Sequence, residues 1–382
     1  MKVLLVTPSY FPIVGGSETL TRTLSTKLNE VGIHTDIMAF NMERKWNPIY
    51  SEKIEKANNH KVFKIPALNP FPFLRINPLH TPLRINILPK LGFNKRFQDY
   101  DIIHFLGEAD LSMPILSRSV QKPKIMHCVG VPGLETQFVK HAIMKKFFIR
   151  IFRTLANVYL VFSPEEKAVL AKLGVPQNRV SILPHAVNTS IFRPDGNNRL
   201  NNLILFVGRI DPVKGLHVLL NSLQYLDSKT QVVIIGPVND DRYFEKTESI
   251  RRKINANGFH NVTYLGSINQ FELVKWYQKA SVLVRADLVG ASGAGCSTLE
   301  ALACGTPVIG VQNHVIIDRV NGLIVPPNDP HKLAEALGLI LTSKKIREEY
   351  GRSAARIIEE NYSLKLVLAR LIATYKKLLE EN

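Results

Sequence analysis

Short apolar runs alternate with amphipathic, helix-patterned stretches along the whole chain. In the first half Val3–Thr7, Asp36–Phe40, Asp101–Phe105, Lys124–Cys128 and Val158–Phe162 read as strands. In the second half Leu203–Val207, Val232–Ile235, Val262–Leu265, Val282–Val284 and Pro307–Val311 do the same. Ser17–Val31 carries a helical pattern closed by Gly32, and Ser343–Asn382 is helical and highly charged. Strands that alternate with helices predict parallel sheets covered by helices, an α/β chain. The Pro- and Asn-rich stretch Pro184–Asn198 reads as a hinge between two such halves. The predicted division is residues 1–188, residues 189–355 and a terminal helix in 356–382. Asn69–Phe97, rich in proline, apolar and basic residues, predicts a long loop with short helices.

A chain of 382 residues exceeds one ordinary core, so two domains are the default. Its 45% hydrophobic and 21% charged residues are those of a folded domain rather than a disordered one. Cys128, Cys296 and Cys304 are odd in number and lack C-x-x-C spacing, which argues against a disulfide framework or zinc site and for a reducing compartment. The opening M-K-V-L-L-V-T-P is too short an apolar run for a signal peptide, and no stretch is long and apolar enough for a spanning helix. A cytoplasmic protein, or one peripheral to the cytoplasmic membrane face, is expected. The net charge of +17 is uneven: residues 1–190 carry 25 Lys and Arg against 13 Asp and Glu, and residues 191–382 carry 24 against 19. Such an excess attracts phosphates of any kind, on a lipid, a sugar nucleotide or a nucleic acid.

Residues 292–310, S-G-A-G-C-S-T-L-E-A-L-A-C-G-T-P-V-I-G, choose among these. They read as a glycine-rich loop, a helix opening near Cys296, a stop at Gly305 and a strand from Pro307. The first N–H groups of such a helix face the loop and suit a phosphate. Glu300, about one turn inside, can accept hydrogen bonds from a ligand's hydroxyls. In F-V-G-R-I-D-P-V-K-G-L, Arg209 and Lys214 follow a strand and flank a turn, so both cations can meet one diphosphate. Gly15 and Gly16 precede the first helix and let backbone approach a ligand, but the spacing is not G-x-G-x-x-G and does not favour a nicotinamide cofactor. His104 and His127 both end predicted strands.

The 292–310 stretch resembles the donor motif of the retaining family 4 glycosyltransferases, usually E-G-F-G-x-x-x-x-E-A-x-A-x-G-x-P-V. Ala294 stands for the aromatic and Ser292 for the first glutamate. The resemblance extends over nearly the whole chain. It implies the GT-B fold: two Rossmann-like, doubly wound domains facing a cleft, with the last helix crossing back to brace the first. It implies transfer of a sugar, with retention, from a nucleotide-diphosphate sugar to a glycan or lipid-linked acceptor. Donor-binding positions carried over are Gly15, Gly16, Ser292, Gly293, Gly295, Cys296 and Glu300, with Glu300 on the ribose. His127, Arg209 and Lys214 are the catalytic positions, the cations stabilising the leaving diphosphate and His127 lying near the sugar. His104 reads as structural. No cofactor and no metal are expected, because cationic side chains take the leaving charge.

Ser292 keeps a hydroxyl but lacks the charge that could stabilise a cationic sugar carbon. Asp287 is the nearest carboxylate upstream. This departure motivates the alternative of a sugar-nucleotide-binding protein of the same fold with impaired catalysis. Within residues 140–155, Ile143, Met144, Phe147, Phe148, Ile151, Phe152 and Leu155 share one half of a helix opposite Lys145, Lys146, Arg150 and Arg153. Such a helix either packs into a core or rests on an anionic membrane. A nucleic-acid partner is not expected, since no recognition motif accompanies the charge.

Overall fold

The computed structural model describes residues 1–11, 16–41, 49, 51–57, 59–68, 88–89, 93–107, 116–118, 120–128, 153–196, 199–226, 229–258, 260–288 and 295–381. The chain forms two compact units. Unit 1 is Met1–Pro184 with Leu368–Asn382, and unit 2 is His185–Val367.

Unit 1 holds strands β1 (Lys2–Thr7), β2 (His34–Phe40), β3 (Lys53–Ala57), β4 (His60–Ile65), the short pair β5 (Ala67–Leu68) and β6 (Leu88–Pro89), then β7 (Ile102–Gly107), β8 (Lys124–Cys128), β9 (Val158–Val161) and β10 (Val180–Ile182). Among the described residues the main sheet runs β10-β9-β8-β7-β1-β2-β4-β3. Every pairing in it is parallel except β3 with β4. Val3, Leu4 and Leu5 are all fully buried, so this central strand is covered on both faces and its sequence does not alternate. Among the described residues its α-helices are α1 (Gly16–Glu30) and α2 (Pro164–Lys172). Chain order reverses between β1 and β7, the kind of switch point at which open α/β sheets bind ligands.

Unit 2 repeats the plan with β11 (Leu203–Val207), β12 (Gln231–Ile235), β13 (Asn261–Gly266), β14 (Val282–Arg285), β15 (Val308–Gly310) and β16 (Gly322–Ile324). Its helices are α3 (Leu216–Ser222), α4 (Asp241–Ala256), α5 (Gln270–Lys279), α6 (Cys296–Ala303), α7 (Pro330–Thr342) and α8 (Lys344–Tyr362). The sheet order is β13-β12-β11-β14-β15-β16, parallel throughout, with the reversal between β11 and β14. A last helix, α9 (Leu364–Glu380), contributes its residues from Leu368 onward to unit 1.

The unit boundaries differ from the sequence division. The Val187 N–H donates to the Tyr362 carbonyl at 3.0 Å, and the Leu364 N–H donates to the Val187 carbonyl at 2.8 Å. These bonds tie the start of unit 2 to the end of α8 and keep that helix in unit 2. Gly351 of α8 lies against Gly305, where a Cβ would meet the Gly305 carbonyl, so the helix is seated on the end of α6. The terminal helical region is therefore two helices with different partners.

Candidate functional site

In unit 2 the strands at the reversal point bring charged side chains together. After β11 the chain passes Gly208 and Arg209 into a single turn, Pro212–Lys214, capped by Asp211, whose carboxylate accepts the Lys214 N–H at 3.2 Å. Gly215 follows at φ 66°, and a Cβ there would run into the Ala286 carbonyl oxygen. Only glycine accepts both the left-handed conformation and the close approach. The Leu288 N–H donates to the Val213 carbonyl at 2.9 Å, which joins this turn to the segment leaving β14.

That segment brings a charged cluster beside the turn. Lys214 Nζ lies 2.9 Å from Asp287 Oδ1. Arg285 donates through Nε and Nη2 to Asp287 Oδ2 at 3.0 and 2.7 Å. Its Nη1 donates to Ser297 Oγ at 2.9 Å and Thr298 Oγ1 at 3.2 Å, in the first turn of α6. Arg209 is the open cation of the group: its side chain is 53% exposed, and its Nε lies 3.5 Å from Asp211 Oδ2.

Gly295 caps α6 from a position outside the helix, without a side-chain hydrogen bond, and Cys296 is the exposed first residue of the helix. Glu300 is partly buried on α6 and accepts the Tyr277 hydroxyl at Oε2, 2.9 Å away. Burial pushes its carboxyl up to about 7, against the lowering effect of that hydrogen bond. Its other oxygen takes no hydrogen bond among the described residues.

The sequence-predicted residues of unit 2 that the structure describes, Arg209, Lys214, Gly295, Cys296 and Glu300, thus fall on the loops after β11 and β14 and on α6. Ser292 and Gly293 lie outside the described residues. Arg285 was missed by the sequence reading, as was Tyr277. A readable signal existed for the first: an arginine closing the apolar run S-V-L-V must find a partner, and Asp287 is two residues on, the spacing that puts side chains on one side of an extended chain. Asp287 has both oxygens occupied by cations, so here it is a counterion within the cluster.

In unit 1, Gly15 lies outside the described residues and Gly16 opens α1. Ser9 donates to Glu18, a buried pair that ties the segment after β1 to the first turn of α1. A carboxylate there complements the helix N-terminus. His127, on β8, is 1% exposed; the His104 ring stacks on it at 5.6 Å and the Phe162 ring lies at 4.7 Å. His104 Nδ1 pairs with the Tyr375 hydroxyl of α9 at 2.6 Å, and burial pushes its pKa down to about 3, which keeps the ring neutral. Of the basic amphipathic stretch at residues 140–155, residues 140–152 lie outside the described residues. No helix among the described residues is long and apolar enough to cross a membrane.

Known proteins share this plan. Residues 188–357 match the family model described as Glycosyl transferases group 1, and residues 14–191 the one described as Glycosyltransferase Family 4. The O-antigen chain mannosyltransferase C of Escherichia coli is 23% identical over 406 residues, covering 100% of both chains. Sucrose-phosphate synthase from Thermosynechococcus elongatus superposes with a TM-score of 0.74 at 18% identity over 100% of both chains. HepE of Anabaena, in complex with UDP, gives 0.74 at 13% identity over 99% of this chain and 100% of its own. These likenesses in structure establish the GT-B fold. With both halves matched by their respective family models, the chain belongs to the group 1, family 4 type glycosyltransferases.

Proposed function

We propose that the protein transfers a sugar from a nucleotide-diphosphate sugar to a glycan or lipid-linked acceptor with retention of configuration. The observation that carries this reading is that Arg209 and Lys214 follow β11 and α6 follows its sheet neighbour β14, at the reversal point of the unit 2 sheet, with Glu300 one turn inside α6. Breaking the anomeric C–O bond leaves charge on a diphosphate, and preorganised cations and N–H donors stabilise such charge as it develops. Arg209 and Lys214 serve that purpose; Glu300 accepts the ribose hydroxyls; Gly293, Gly295 and Cys296 border the phosphates; and Ser292 bonds the sugar. For Gly15 and Gly16 the support for a donor-binding role is the family resemblance of the glycine turn before the first helix. For His127 the family resemblance supports a role beside the sugar; its ring is 1% exposed and lies beside those of His104 and Phe162. The chemistry needs no metal in this scheme, because the cationic side chains carry the leaving charge.

The complex of HepE with UDP supports a nucleotide donor, and the O-antigen chain activity in the name of the Escherichia coli relative supports a glycan or lipid-linked acceptor. An acceptor of the second kind agrees with a cytoplasmic protein peripheral to the membrane through residues 140–155. Incubation with radiolabelled nucleotide sugars, scored for hydrolysis and for transfer to lipid extracts, tests the proposal. Transfer above background supports it, and tight nucleotide binding without either product supports the second reading. That second reading is a sugar-nucleotide-binding protein with impaired catalysis, and Ser292 in place of a carboxylate is the observation that favours it.

A further inference from the structure

Arg285 is an unusual residue to find at the end of a buried parallel strand. Its side chain is 8% exposed, and Asp287 beside it is 6% exposed. A buried ion pair is often no more stabilising than apolar residues of the same volume. A cation beside the first turn of a helix is also electrostatically unfavourable. Stability alone therefore gives little reason for a guanidinium here. The reason lies in what it connects.

Three segments meet on this one side chain. The strand end supplies Arg285 itself. The first turn of α6 supplies Ser297 and Thr298, both bound by Nη1. The turn after β11 is reached through Asp287, whose Oδ2 takes Nε and Nη2 while its Oδ1 takes Lys214 Nζ. Gly295 closes over the guanidinium so tightly that a Cβ there would press on Nη1. Two cations against one carboxylate leave a net positive charge, held by a planar fork whose geometry a flexible ammonium does not reproduce.

We infer that Arg285 is a positioning residue for the donor diphosphate: it fixes the first turn of α6 through Ser297 and Thr298 and, across Asp287, fixes the Lys214 ammonium. This inference rests on the donor reading proposed above, and it adds a residue which that reading does not include. Arg285 does not touch the donor; it acts through Lys214 and α6.

The test uses the full chain and calorimetric titration with UDP, GDP and ADP, with folding checked by circular dichroism. Arg285→Gln is expected to weaken the nucleoside diphosphate that wild type binds by about tenfold, the scale of charge-assisted hydrogen bonds. Arg285→Lys, which keeps the charge and loses the fork, is expected to weaken it nearly as much. Because Arg285 acts through Lys214, the double variant Arg285→Gln/Lys214→Ala should lose less than the product of the two single losses. A folded Arg285→Gln protein with wild-type affinity, or losses that multiply, overturns the inference while leaving the donor reading in place. Should Arg285→Gln fail to fold, Ser297→Ala removes one acceptor at a partly exposed position. A loss of about threefold is then expected, and unchanged affinity overturns the inference. Wild-type protein that binds none of the three nucleotides removes the donor reading and this inference together.

Discussion

The Tyr277 hydroxyl donates to Glu300 Oε2 at 2.9 Å from a ring that is fully buried beneath α6. The bond engages one carboxylate oxygen, and the other takes no hydrogen bond among the described residues. Burial also raises the Glu300 carboxyl from the usual 4.5 to about 7. Between those two values the folded protein holds a proton that the unfolded chain has released. Stability is therefore fullest below about 4.5 and falls as pH rises to about 7, above which the slope disappears. Urea denaturation across that range checks the slope, and Glu300→Gln should abolish this component of it.

The same titration should appear in donor binding with the opposite sign. A carboxylate accepts two ribose hydroxyls better than a carboxylic acid does. Affinity for a nucleotide-diphosphate sugar, whose diphosphate does not titrate near neutrality, should rise as pH passes through about 7 in wild type and stay flat in Glu300→Gln. A 2′-deoxy donor should lose little more affinity in that variant. Losses that simply add would show Glu300 and the hydroxyl to be independent.

Arg209 and Lys214 should separate by their effect on stability. Arg209→Ala removes an exposed side chain, so donor affinity drops while the unfolding free energy stays within about 0.5 kcal/mol of wild type. Lys214→Ala weakens the donor too, and it also deprives a buried Asp287 oxygen of its partner, which costs about 1–3 kcal/mol. Paired calorimetry and denaturation curves distinguish the two outcomes.

Gly215→Ala should be among the more damaging single-methyl changes in the chain. The backbone at φ 66° and the Ala286 carbonyl oxygen both oppose a Cβ, and the expected loss is about 2 kcal/mol or more. A midpoint equal to wild type in urea would mean that the turn can open at little cost.

Tyr375→Phe tests the seat of α9 in unit 1. It strands His104 Nδ1 in a fully buried site, with an expected cost of about 1–3 kcal/mol and no direct effect on the unit 2 charges. Thermal unfolding followed by circular dichroism reads the loss.

Ser292→Glu asks whether a missing carboxylate limits turnover. In a working transferase it should raise the rate or change the sugar accepted; in a binding protein turnover stays at background. Donor affinity must be measured alongside, because a longer side chain can also fill the pocket.

The strands were legible because most are continuous apolar runs bounded by turn residues: β8 and β11 fall on the residues read from the sequence, and the other runs it picked out differ by only a few residues at their ends. The hairpin of β3 and β4 escaped because three of the five residues in K-I-E-K-A are charged, and it looks like an exposed loop. The edge strands β10 and β16 escaped because three residues carry too little pattern to stand out. The family resemblance rests on local motifs, and those survive in sequence because glycine at Gly215 and Gly305, both with positive φ, answers a local backbone requirement.

What the amino-acid order determined by itself was therefore the α/β class, the two halves, the positions of the motif loops and the residue types suited to a diphosphate and a ribose. The fold alone decided which charges face one another. Asp287, read from sequence as the nearest carboxylate, became the counterion of Lys214 and Arg285 because β11 and β14 are neighbours in the sheet though far apart in the chain. Tyr277 reached Glu300, and Tyr375 reached His104, across 23 and 271 residues. Partners at such separations depend on sheet order and helix packing, and sequence periodicity carries information only about near neighbours.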